Sequence, residues 1–167
     1  MDLPALYEDD IYAWSLHQGA VLRRMAAEGR AHLPNDLDIE NVIEEIETVG
    51  RSELAGVRSH LTRMLEHLVK AVSSPTAYPA TKWMGEVARE QTAAVAGYTP
   101  SMRQNLDLAR VWRDARRIAA ADLAAYGEAA AALPENCPFA PEELLDLKTA
   151  PEAFVARLMA APPLPGG

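Results

Sequence analysis

Cysteine is nearly absent from this chain, aromatic residues are scarce, and no long apolar run interrupts its 167 residues. Each shortage excludes something. A single cysteine, Cys137, rules out an internal disulfide and with it a disulfide-stapled secreted scaffold. No apolar stretch reaches the roughly 20 residues that a membrane-spanning helix needs, and no signal-peptide pattern opens the sequence. Positive charge is short as well: 16 Lys and Arg stand against 24 Asp and Glu, so 16 − 24 = −8. A chain of that sign is a poor generic binder of nucleic acid or of an anionic membrane. These shortages together predict a cytoplasmic protein with neither nucleic acid nor membrane as a partner. Strand-like alternation, internal repeats and low-complexity blocks are also missing. With aromatics at 6% and alanine making up much of the apolar fraction, helices should approach closely around a thin core.

What is present is helical periodicity, strongest in the stretch Leu37–Glu53. Ile39, Val42, Ile43 and Ile46 recur at three- and four-residue steps, the period of a helix with one buried face. The stripe continues through Gly50, Leu54, Val57, Leu61, Met64, Leu65, Leu68 and Val72 without losing phase. The spacing predicts one continuous helix over about 38–72, roughly 50 Å long. Gly50 is its weak point, because glycine costs about 1 kcal/mol in a helix interior. Its place on the stripe also lets a neighbouring helix come close. At 100° per residue Glu40, Glu44 and Glu47 fall on one flank of the stripe. Glu53, His60 and His67 fall on the other, with Glu53 nearest the stripe and expected to be partly buried and paired.

These residues carry a resemblance. Asp38-Ile-Glu-Asn-Val-Ile-Glu-Glu-Ile-Glu47, then Gly50-Arg-Ser-Glu53, then His67-Leu-Val-Lys70 resemble a bacterial family of small helical proteins, catalogued only as the twenty-ninth domain of unknown function. Tyr7-Glu-Asp-Asp10, Tyr12-Ala-Trp-Ser15 and Asn136-Cys-Pro138 fit its pattern too, so the likeness runs to about Leu145. One segment departs: where a basic-aromatic run usually follows the His-Leu-x-Lys motif, this chain has Ala71–Pro79. The resemblance implies an all-helical fold and no particular activity.

The length suits one domain. The reading is an all-α helical bundle of four main helices, with a long central helix and a short C-terminal helical segment. Residues 1–147 form the bundle domain, and 148–167 a short helix and a flexible tail rich in proline and glycine. After a lead-in over 1–9, Asp9 or Asp10 caps a first helix that buries Ile11, Trp14, Gln18, Val21, Leu22 and Met25 and ends near Gly29. A loop over 30–37 leads to the central helix, and a second loop from Ser73 to Pro79 leaves it. The third helix covers 80–97, with Trp83, Met84, Val87, Gln91 and Val95 inward. The fourth runs from Pro100 to Tyr126, its inner stripe Leu108, Trp112, Ala115, Ala119, Leu123 and Tyr126, its far side Arg103, Arg110, Arg113 and Arg117. Glu128–Ala132 can add a turn. Short helices open at Pro141 and Pro151, the second turning Phe154 and Leu158 inward.

Four constellations bear on function. Glu40, Glu44 and Glu47 have the three- and four-residue spacing of carboxylates that hold a divalent cation, or of a salt-bridged surface. A carboxylate-bridged di-iron centre needs Glu-x-x-His on its helices, and that pattern occurs nowhere in the chain. Glu53, His60 and His67 are seven residues apart, about 10 Å per step, too far for one metal to take both histidines from this helix alone. Glu53 and His67 stand as catalytic candidates, His67 as half of an acid–base pair with a facing carboxylate, against a plain hydrogen-bonded histidine at the edge of the core. Cys137 has no neighbouring base in sequence and packs as a small apolar group. The arginine face of the fourth helix pairs with acids on another helix or another subunit. No cofactor signature occurs. The leading functional reading is a binding or scaffolding module acting on a protein partner or on a second copy of itself; the other is an enzyme or metal-binding protein centred on Glu53 and His67.

Overall fold

The structure, a computed structural model, describes residues 3–29, 33–74 and 79–160. Helix α1 spans Leu3–Asp9, α2 Ile11–Ala27, α3 Ile39–Ser73, α4 Pro79–Gly97, α5 Leu108–Ala125, α6 Pro141–Leu144 and α7 Pro151–Ala160, with a 3-10 helix at Pro100–Asn105. No strand occurs among the described residues. The fold is all-α, with α2 to α5 as its main helices and α3, 35 residues long, as its spine. Helix α3 passes Gly50 without interruption. The tail beyond Ala160 and most of the Ser73–Pro79 loop lie outside the described residues.

The chain groups into two compact units. One holds α1, α2, α3 up to Gly56, and Tyr98–Asn105; the other holds α3 from Val57, α4, and the chain from Leu106 onward.

In the first unit Asp10 caps α2 by accepting from the backbone N–H of Ala13 at 2.9 Å. The same oxygen accepts from Thr99 Oγ1 at 3.0 Å and Ser101 Oγ at 2.9 Å, which fixes the 3-10 helix to the start of α2. The expected lead-in over 1–9 is itself a helix, α1, and its Tyr7 packs edge-on against Trp14 with ring centroids 4.9 Å apart. The buried face of α2 is Tyr12, Ser15 and Gly19, whereas Met25 is exposed. Periodicity selects Ile11, Trp14 and Gln18, each one position earlier. The reason is close approach: a Cβ on Gly50 would stand 2.1 Å from Ser15 Oγ, and one on Gly19 would stand 2.7 Å from Glu47 Cγ. Small residues are buried here because two helix backbones nearly touch.

In the second unit Val57, Leu61, Met64, Leu65 and Leu68 of α3, Val87 and Ala94 of α4, and Trp112, Ala115, Ala119 and Leu123 of α5 are buried and make up the core. Helix α5 begins at Leu108 rather than at Pro100. Pro100 opens the 3-10 helix, and Asp107 then turns the chain with φ of 50° and caps α5 through Arg110 N–H. At the other end Tyr126 caps the helix, Gly127 takes φ of +75°, and the chain stays non-helical over Glu128–Ala132. Tyr126, expected inward, is 84% exposed because it lies beyond the last helical turn. Trp112, fully buried, donates its indole N–H to Pro134 O at 3.0 Å. Buried Gln91 donates to Leu144 O at 3.2 Å and Asp146 O at 3.1 Å, tying α4 to the segment around α6. Phe139 and Phe154 meet edge-on at 5.3 Å.

Candidate functional site

Helix α3 carries both catalytic candidates, and the structure does not bring them together. They are fourteen residues apart on one helix, about 21 Å of rise. Glu53 is exposed and has no hydrogen bond or ion pair among the described residues, contrary to the expectation that it is covered and paired. The cause is the side on which α2 packs. Glu47 and Glu53 lie on opposite flanks of Gly50, three residues before and after it, and α2 covers the Glu47 flank. The covered carboxylate is therefore Glu47, its side chain only 13% exposed, held by both arms of the Arg23 guanidinium with one N–H···O at 2.9 Å.

The rest of the acidic flank is engaged similarly. Arg51 donates to Glu44 Oε1 at 2.9 Å and lies 3.7 Å from Glu47. Glu40, exposed, also has an interaction partner. Glu44 and Glu47 are thus answered by guanidinium groups, the salt-bridged alternative of the two readings. Among the described residues no group of three or more His, Cys, Asp and Glu side chains is arranged to hold a metal ion.

His67 is partly buried, and its Nδ1 has no hydrogen-bond partner among the described residues. Burial lowers its pKa below 6.5, outweighing the opposing pull of Glu66, Glu86 and Glu90; Lys70 lowers it further. His67 is therefore a neutral imidazole at pH 7. His60, unlike His67, is within hydrogen-bond distance of a carboxylate on α4: its Nδ1 stands 2.7 Å from Glu90 Oε2, with Arg63 3.8 Å from the same oxygen. One turn after Glu66, Lys70 is buried and donates to Glu66 Oε1 at 2.6 Å and Asp122 Oδ2 at 2.5 Å. Burial pulls the Lys70 pKa down, but these two hydrogen bonds reverse that and leave it raised. Sequence reasoning placed Lys70 in a motif without assigning it burial. The Glu66/Lys70 spacing of four was the available signal.

Cys137 is a free thiol whose pKa burial pushes up to about 11. It stays protonated at neutral pH, which removes the nucleophile and agrees with its reading as a packing residue.

The concave feature that carries charge is on α5. A cleft of about 310 Å³ opens between α5 and the irregular segment that follows it, with Arg113, Arg116 and Arg117 along the helix side and Val69, Ala131 and Leu133 among its apolar lining. Val69 and Leu133 are buried, so they floor it; Arg113 and Arg117 are exposed, so they rim it. Arg116 is committed within the chain, donating to Glu135 O at 3.3 Å and lying over the Trp112 ring at 5.9 Å. Arg113 and Arg117 make no ion pair or hydrogen bond among the described residues. Their neighbours differ: Arg110 is 3.7 Å from Asp114, and Arg103 belongs to the 3-10 helix rather than to the same face. Arg24 and Lys148 also have no ion pair among the described residues but stand singly; Arg113 and Arg117 are four residues apart on one helix at a cleft. The sequence pattern named these two arginines. It did not supply Arg116 or the segment after Gly127 that makes the cleft concave.

Among the described residues the protein is all-helical, with a cleft on α5 lined by three arginines. The chain belongs to the family described as domain of unknown function DUF29, whose model matches residues 6–149. It is similar to an alpha-helical protein of unknown function from Rhodospirillum rubrum, known from a crystal structure: TM-score 0.82, 34% identity, 91% of this chain and 96% of the other covered. No curated protein matches it. No helix among the described residues is long and apolar enough to cross a membrane.

Proposed function

We propose that this chain is a cytoplasmic binding module that acts through contact with another protein, and that the α5 cleft seats an acidic segment of that partner. The observation that carries the reading is the pair Arg113 and Arg117, which line the cleft and have no ion pair among the described residues in a chain with an excess of acids. Arg23, Arg51, Arg63, Arg89, Arg110 and Arg157 each have a carboxylate within 4 Å. Two neighbouring guanidinium groups without one retain their capacity for charge-assisted hydrogen bonds to an incoming anion. The other reading, an enzyme or metal-binding protein centred on Glu53 and His67, is less supported: no group of three or more His, Cys, Asp and Glu side chains among the described residues could hold a metal ion.

The test is photo-crosslinking in the native cell from a reactive amino acid placed at Ala130, on the cleft. A protein captured by the unmodified chain and lost in the Arg113→Glu, Arg117→Glu variant supports the proposal. Capture unchanged by that reversal of charge overturns it.

A further inference from the structure

Arg113 and Arg117 are four residues apart on α5, which places their Cβ atoms about 6 Å from each other on one face. Arg116 keeps its charge but is already held in place by Glu135 O and the Trp112 ring, so among the described residues Arg113 and Arg117 are the two cleft guanidinium groups with their hydrogen-bonding arms free. One carboxylate brings a single negative charge and leaves one guanidinium unanswered. Two carboxylates bring enough charge, but both side chains must be ordered and held against their mutual repulsion. A phosphate monoester carries close to two negative charges at neutral pH and three acceptor oxygens on one centre. Two arginine forks can each meet a pair of those oxygens. The apolar floor of Val69 and Leu133 suits the carbon portion of the residue that bears the phosphate.

We infer that the group recognised in the α5 cleft is a phosphate monoester on a serine or threonine of the partner protein. The inference rests on the reading of the cleft as a partner-binding surface and names the chemistry it takes. The charge of −8 favours this over a phosphodiester chain or a phospholipid surface, both of which present many anions at once to an acidic chain.

The experiment titrates the full chain with two blocked amino acids, acetyl-phosphoserine methylamide and acetyl-glutamate methylamide. NMR follows the Nε–H signals of Arg113, Arg116 and Arg117 and the indole N–H of Trp112. The phosphoserine probe should bind roughly tenfold more tightly than the glutamate probe, the difference made by one further charge-assisted hydrogen bond. Its affinity should fall as pH is lowered through about 6, where the phosphate dianion takes up a proton. Arg113→Gln with Arg117→Gln should abolish the response while leaving amide signals elsewhere in place, both side chains being exposed. Equal affinity for the two probes, or affinity that is flat between about pH 7 and pH 5, overturns the phosphate inference and leaves the acidic-partner reading standing. A response to neither probe overturns it as well, and the charge-reversal crosslink then decides the broader reading alone. Tighter binding to phosphatidic-acid vesicles or to a thymidine oligonucleotide would also overturn it.

Discussion

At the scale of single residues, small side chains decide more here than large ones. Gly50 sits where α2 comes closest to α3: an added Cβ would meet Ser15 Oγ at 2.1 Å, Ser15 Cβ at 3.3 Å and Tyr12 Cδ2 at 3.4 Å. Ser15 is fully buried, and its hydroxyl donates to Tyr12 O at 2.8 Å, so it has little room to turn away. Gly50→Ala gains about 1 kcal/mol of helix propensity and meets an overpacking cost of about 1–3 kcal/mol. The expected result is net destabilisation, read as a lower urea midpoint with unchanged slope. In a Ser15→Ala background the 2.1 Å contact no longer exists, so the same substitution should become neutral or stabilising. Equal effects in both backgrounds would show that the hydroxyl is not what excludes a side chain. The close approach at Gly50 was legible from its place on the apolar stripe. The exposure of Glu53 was not, because Glu47 and Glu53 are equivalent in phase until it is known which flank α2 covers.

Among the helices, α3 was the most legible, because its apolar stripe keeps step from Ile39 to Leu68 and the helix follows it. Periodicity failed where a helix is covered on more than one side. Leu68, Val69, Lys70 and Ala71 are four consecutive buried residues, so α3 has no free face there, and a lysine to which periodicity assigns no burial is inside. Helix α5 shows the reverse limit. Periodicity picks out its buried Trp112, Ala115, Ala119 and Leu123 but misses buried Val111 and takes in Leu108 and Tyr126, which are not buried, and the helix starts a full 3-10 helix later than Pro100 suggests, since a proline signals a helix without saying which kind. Trp112 anchors this element twice, through complete burial and through its N–H to Pro134 O. Trp112→Ala should lower the unfolding free energy by about 3–5 kcal/mol, the cost of emptying a large core site. Thermal or urea denaturation reads this directly, and an unchanged midpoint would contradict the burial. The substitution also releases Pro134, so protease cleavage between Glu128 and Cys137 should accelerate before the rest of the fold yields.

Across the whole molecule the excess of acid is balanced unevenly. Guanidinium groups answer many carboxylates one by one, while Arg113 and Arg117 on the α5 cleft have no ion pair among the described residues. That imbalance is a tertiary property: the sequence showed arginines on one side of a helix, and only the chain folded back after Gly127 makes a cleft beside them. The same folding sets how the protein answers to acid. His67, partly buried, faces Glu86 and Glu90 of α4 and, along its own helix, Glu66 and Lys70, and its pKa is lowered chiefly by burial. Between that lowered value and the 6.5 of an unburied histidine, the unfolded chain binds more protons than the folded one. Stability is therefore full above 6.5, falls as pH drops through this window, and is lost to this group below the folded value. Glu86, lowered by its hydrogen bond from Arg89, and Glu143, lowered by the Ala140 N–H, act in a separate range, below 4.5. Urea midpoints measured from neutral pH downward should decline as soon as pH passes 6.5, well before the carboxylates titrate. His67→Gln should flatten that first decline and leave the later, carboxylate-driven loss in place. If the two proteins lose stability in parallel above the carboxylate range, protons are being taken up elsewhere, and the neutral, buried state assigned to His67 is wrong.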